Sequence, residues 1–293
     1  MIRRARAGAA AFVTALCAAG GVAATSGPAD ASAARTAAAV QAGLGIPIPG
    51  ALLVSESRYI NDPNIVAGKT QLPPGCTGSN CVTANANGNY PYVFNNAEVD
   101  GSFGVTSPIY LQEMTPSGIP LGTIAVPSSE LVTSFSSKSE LALNLSPDGK
   151  TLSFMGYVAK PDTVDVSNAN TPGVIDPTNP VPGAYYRAAA ELTADGHLSF
   201  TETNAYSGDN GRAAITADVD GQQLIYASGN AGNGSTPQPN GVILGAGAQL
   251  IKPSNLPESA QDPGTPTPVG SFNVTLLGDK ADKIGKDDNF RGP

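Results

Sequence analysis

Residues Leu141 to Tyr157, LALNLSPDGKTLSFMGY, decide the fold. Leu141, Leu143 and Leu145 alternate with Ala142 and Asn144, which is the period of a half-buried strand. Pro147, Asp148 and Gly149 supply turn chemistry, and Leu152, Phe154 and Met155 resume the apolar run, so the stretch predicts an antiparallel hairpin.

The turns of this hairpin recur. Ser146-Pro147-Asp148-Gly149 is matched by Asp218-Val219-Asp220-Gly221, and Thr115-Pro116-Ser117-Gly118 by Thr193-Ala194-Asp195-Gly196. Gly149 to Gly221 is 221 − 149 = 72 residues and Gly118 to Gly196 is 196 − 118 = 78, so one repeat holds two hairpins. With its strands labelled A to D, one unit covers 140–145, 151–158, 184–192 and 197–203, and the next covers 212–217, 222–228, 241–251 and 270–277. An earlier unit starts at strand B, Ala51 to Tyr59, and continues through 108–114 and 119–126 without a strand A of its own.

Tandem four-stranded antiparallel units predict an all-β β-propeller, with about three blades of a larger ring in residues 51–293. The chain resembles secreted bacterial propeller proteins whose blades carry SPDGK turns, here Ser146 to Lys150. The units exceed the usual blade length and lack WD or kelch signatures, so a β-sandwich stays open as the alternative. Asp287-Asp288-Asn289-Phe290-Arg291-Gly292 repeats the pattern of Gly208-Asp209-Asn210-Gly211-Arg212 before a strand A. This reads as a new blade opening, and hence as a C-terminally truncated fragment.

Arg3, Arg4 and Arg6 precede a small apolar stretch from Ala7 to Ala24 and an Ala/Ser/Thr-rich segment with small-residue cleavage sites. Residues 1–34 therefore read as a signal peptide and flexible segment, and 35–50 as a linker. The implied address is extracellular or periplasmic, with no membrane insertion after cleavage. The chain has 16 Lys+Arg and 24 Asp+Glu; without the three leader arginines 16 − 3 = 13 basic residues remain. Such a balance excludes nucleic acid and anionic membrane surfaces as partners, which both require concentrated positive charge. After Cys17 leaves with the leader, Cys76 and Cys81 in PPGCTGSNCV are predicted to form a disulfide pinning a loop.

The excess length of the units lies between strands B and C, at 60–107, 159–183 and 229–240. In a propeller these connections share one face with the D-to-A connections, and long loops on a rigid scaffold carry function. The richest is 60–107, where Tyr90, Tyr92 and Phe94, near Glu98 and Asp100, suit a sugar or peptide; the competing reading is a small core within the loop. Asp209, Asp287 and Asp288 are hard oxygen donors suited to calcium, against which stand the neighbouring Lys280, Lys283 and Lys286 and the reading of a solvated charged turn. No other cofactor is implied. His197, the only histidine, follows a tight turn, and no GxSxG, HExxH or phosphate-loop motif is present. These features predict a secreted, non-catalytic binding or scaffold protein for a small molecule, a glycan or a protein. The alternative is a carboxylate- or calcium-dependent propeller hydrolase, or a lyase.

Overall fold

The computed structural model describes residues 14–15, 45–58, 66, 68–72, 82–83, 106–134, 141–161, 163, 165–179, 181, 183–231, 245, 247–260 and 270–272. They form an all-β structure of antiparallel sheets with one short 3-10 turn, Val166–Asn168. Sheet 1 is ordered β1 (Thr14–Ala15), β2 (Leu52–Ser57), β5 (Ile109–Met114) and β6 (Pro120–Ala125). Sheet 2 holds β7 (Asn144–Leu145), β8 (Thr151–Tyr157), β9 (Arg187–Thr193) and β10 (Leu198–Thr203). Sheet 3 holds β11 (Gly211–Val219), β12 (Gln222–Gly229), β13 (Gly247–Ile251) and β14 (Gly270–Phe272). A separate ladder pairs β3 (Gln71–Leu72) with β4 (Val82–Thr83) inside the first long loop. No helix among the described residues is long and apolar enough to cross a membrane.

Each sheet is a meander in which every strand pairs with the next, as the repeat predicts. Sheet 1 differs from expectation at its first position. The sequence shows no strand A for this unit, yet Thr14–Ala15, within the segment read as the leader, pairs antiparallel with β2.

The tight turns follow from their residues. In Ser146–Lys150 the Gly149 N–H donates to the Ser146 carbonyl at 2.8 Å, with Gly149 at φ 72. The Ser146 hydroxyl donates to Asp148 at 2.6 Å and accepts from the Thr151 N–H at 2.9 Å. The Ser146 hydroxyl and, after it, the Lys150 N–H at 3.1 Å hold the Asp148 carboxyl below its ordinary range. Thr115–Ile119 and Thr193–His197 repeat this backbone pattern around Gly118 and Gly196. The third unit does not. Val219 pairs directly with Gln222, and Asp220 and Gly221 both have positive φ, which is the two-residue Asp-Gly turn of a tight hairpin.

The sheets stack in sequence. One face of sheet 2, carrying Leu152, Phe154, Ala188, Ala190 and Leu192, packs on Leu53, Ile109, Leu111 and Ile124 of sheet 1. The opposite face, with Met155 and Ala189, packs on Ala214, Ile225, Ala227 and Ile251 of sheet 3. All seven residues of β8 are therefore buried. The second interface also carries a polar ladder. The Thr216 hydroxyl donates to Glu191 at 2.6 Å and shares a 2.8 Å hydrogen bond with Ser153, while the Gln223 amide donates to the same Glu191 oxygen at 3.1 Å.

Residues 45–50, the end of the predicted linker, belong to the folded body. Ile48 and Ala51 pack with Leu121, and the Ile48 N–H donates to buried Glu113 at 2.7 Å. Burial pushes the Glu113 carboxyl up, opposed by that N–H.

Close approach explains two paired glycines. Gly211 faces Gly229 across β11 and β12. A Cβ on Gly229 would lie 2.6 Å from the Tyr206 ring and collide with the Asn210 carbonyl, and one on Gly211 would lie 2.7 Å from Met155. Gly229→Ala is expected to cost about 1–3 kcal/mol through overpacking against backbone, which chemical denaturation would register as a lower midpoint with an unchanged slope.

Candidate functional site

One end of the sheets gathers the long connections. After β8 the chain runs through the 159–183 loop to β9; after β10 it crosses at 204–210 to β11; and 229–231 leaves β12. Hydrogen bonds tie these segments together. The Thr171 hydroxyl donates to the Asn204 carbonyl at 2.6 Å, the Ser207 hydroxyl to the Val174 carbonyl at 2.5 Å, and the Gly208 N–H to the Ala169 carbonyl at 3.0 Å. Towards sheet 1, the Thr106 hydroxyl donates to the Lys160 carbonyl at 2.6 Å, and residues 107 and 133 form a bridge next to the Val132–Tyr157 bridge. Gly156 permits this approach, since a Cβ there would sit 2.7 Å from Leu131. The described parts of the B-to-C and D-to-A connections thus share an end, as the repeat predicts.

At the centre lies Arg187, fully buried at the start of β9. It stands where the chain leaves the loop for the sheet, so its side chain reaches the segments that converge there. Its guanidinium donates to four main-chain carbonyls: Tyr185 at 2.7 Å, Ser167 at 2.9 Å, Ala169 at 2.8 Å and Asp209 at 2.7 Å. It also lies over the Tyr157 ring at 5.2 Å. One side chain therefore clamps the 3-10 turn, the end of the same loop, and the connection between sheets 2 and 3. A planar fork with five N–H donors suits this task, and a point-charge ammonium does not.

Asp209 and Asn210 stand beside this clamp. Asp209 accepts from the Asn210 N–H at 2.8 Å and side-chain amide at 2.6 Å, and from the Asn230 amide at 2.8 Å. Both carboxylate oxygens thus face N–H donors, where a calcium site needs a ring of oxygens. Tyr157 completes the group by donating its hydroxyl to Asn210 at 3.3 Å. Tyr206, buried in the left-handed region at φ 61, fills the space left by Gly211 and Gly229. Burial pushes its phenol well above the ordinary range.

Asp165 is the second buried acid of this end. It precedes the 3-10 turn at φ 58, a conformation Asp tolerates better than most residues. One oxygen accepts from the Asn168 amide at 2.6 Å, and the other has no hydrogen-bond partner among the described residues. Burial pushes this carboxyl well above its ordinary range, with the Asn168 hydrogen bond opposing.

Of the residues chosen from sequence, only Asp209 is among those described. Tyr90, Tyr92, Phe94, Glu98, Asp100, Asp287, Asp288, Cys76 and Cys81 lie outside them; the two cysteines fall between β3 and β4, whose ladder pairs Gln71 with Thr83. No group of three or more His, Cys, Asp or Glu side chains suited to a metal occurs among the described residues. His197 sits in the β9–β10 turn at the opposite end, where its carbonyl accepts from Thr193. Sequence reasoning missed Arg187, Asp165, Tyr157, Tyr206 and Asn230. The available signal for Arg187 was one long cation directly before a run of small apolar residues, Arg187-Ala188-Ala189-Ala190.

No known protein family, curated protein or solved structure gives a significant match to the chain.

Arg187→Lys is expected to destabilise by roughly 2–4 kcal/mol, because several buried carbonyls lose their donor, and limited proteolysis should then cut first within 159–183. A raised folded-state pKa at Asp165 means stability is fully present below the unfolded carboxyl pKa of about 4 and is lost as pH rises through the folded value. Asp165→Asn should flatten this decline, seen as a smaller fall in Tm from pH 4 upward than in the unmodified protein.

Proposed function

We propose that the chain is an exported binding or scaffold protein of stacked β-propeller blades, whose ligand face is the end bearing the long B-to-C loops. The observation that carries the reading is the Arg187 clamp. A guanidinium spent on carbonyls of 159–183 and 204–210 gives those loops a fixed shape, and a preorganised loop surface binds without paying for its own ordering. The blade reading rests on the stacking: a middle sheet covered on both faces fits successive blades and goes beyond a two-sheet sandwich. In this reading the 60–107 loop, with Tyr90, Tyr92 and Phe94, extends the same face and offers rings and amides to a polar ligand such as a glycan.

The test is a glycan, metabolite and protein binding screen on the exported full-length product, with and without calcium. Tyr90→Ala or Tyr92→Ala is expected to weaken the captured ligand about tenfold, roughly 1.4 kcal/mol, with the thermal transition nearly unchanged. Lower stability with unaltered affinity would assign those rings to the loop's own core and overturn the site.

A further inference from the structure

Sheets 2 and 3 draw their first strand from residues just before the second: β7 turns into β8 at Ser146–Lys150, and β11 into β12 at Asp220–Gly221. Sheet 1 is built differently. Its first-strand position is taken by Thr14–Ala15, opposite Leu53 and Leu52, from a point 52 − 15 = 37 residues upstream of β2. That segment carries the arginine-flanked apolar pattern of a cleaved leader.

We propose that the β2 edge beside Thr14–Ala15 is a strand-docking site whose occupant is this leader segment, so that the precursor caps its own first sheet and processing vacates the position. The proposal rests on the leader reading as well as on the pairing. β2 itself does not depend on the cap. All six of its residues pair with β5, from Leu52 opposite Met114 to Ser57 opposite Ile109, and Leu53 is buried against sheet 2. Removing the leader therefore leaves a formed strand with a bare edge. Such an edge presents unpaired N–H and C=O groups that recruit an extended segment by backbone pairing. Neighbouring residues of an antiparallel ladder alternate between pairs that exchange both hydrogen bonds and pairs that exchange none. A two-residue ladder thus contributes one such exchanging pair, which is a short hold, easily displaced.

Hydrogen exchange on two forms of the protein tests this: the full chain made without export, and the exported, processed product, with the N-terminus of each fixed by intact mass. The one β2 amide, at Leu52 or Leu53, that donates to the cap is expected to exchange about tenfold faster in the processed form, as loss of its hydrogen bond implies, while those of β8 and β9 stay the same. A synthetic peptide of residues 10–16 should restore slow exchange, and the same peptide carrying T14P and A15P should not. Equal exchange in the two forms, or equal action by both peptides, would overturn the docking site. If the mass shows residues 14–15 retained after export, the leader reading fails and vacating is overturned; T14P/A15P in the full chain still tests the cap.

Discussion

Covering sheet 2 on both faces is the constraint from which the rest of the arrangement follows. A strand buried on one side needs apolar residues only at alternate positions, whereas β8 and β9 must satisfy a neighbour at every position. β9 answers with Ala188, Ala189 and Ala190, small enough to let backbones approach from either side. β8 divides its residues, with Leu152 and Phe154 towards sheet 1 and Ser153 and Met155 towards sheet 3. The two interfaces differ in kind. The first is apolar, while the second holds Glu191 between Thr216 and Gln223. A buried carboxylate that finds its donors in only one alignment penalises every other register.

Burial on this scale transfers a cost to the sheet ends, where strands stop and main-chain groups lose their ladder partners. Every buried carbonyl must still find a donor. Arg187 meets this need for Ser167, Ala169, Tyr185 and Asp209 together, which is why a charged side chain can be fully buried here. The asparagines do the same at smaller scale: Asn179 donates to the Asn168 carbonyl at 2.9 Å, and Asn204 to the Pro172 carbonyl at 3.1 Å. The Asn-rich composition of these loops is therefore the local substitute for a sheet.

Periodicity made the strands legible because it reads faces. The windows 151–158, 222–228, 108–114 and 119–126 became Thr151–Tyr157, Gln222–Gly229, Ile109–Met114 and Pro120–Ala125. It read less well where the backbone leaves the strand conformation. Among the described residues of the window 140–145 the strand is only Asn144–Leu145, because Leu141 sits at φ 63, and in 241–251 the described strand is Gly247–Ile251. Leu141 keeps its apolar role all the same, buried with its carbonyl accepting from the Ser55 hydroxyl at 2.9 Å. The clamp was illegible for a different reason. Its partners are main-chain carbonyls, which every residue carries, so no pattern of side chains announces them.

The two ends of the sheets consequently obey different rules. At the tight-turn end the Ser146, Thr115 and Thr193 hydroxyls bond within their own turns, to Asp148, Ser117 and Asp195. The side-chain hydrogen bonds of each such turn stay within it. At the loop end the hydrogen bonds join segments far apart in sequence: Thr106 to Lys160, Thr171 to Ser207, Asn230 to Asp209. There a change in one segment alters the partners of another, because the carbonyls held by Arg187 come from both sides of the β9–β10 hairpin. Coupling of this kind needs an element with two arrangements before it becomes a signal. With one arrangement, it gives rigidity, and a rigid surface of long loops on self-contained hairpins is what allows those loops to vary in length while the stack beneath them stays the same.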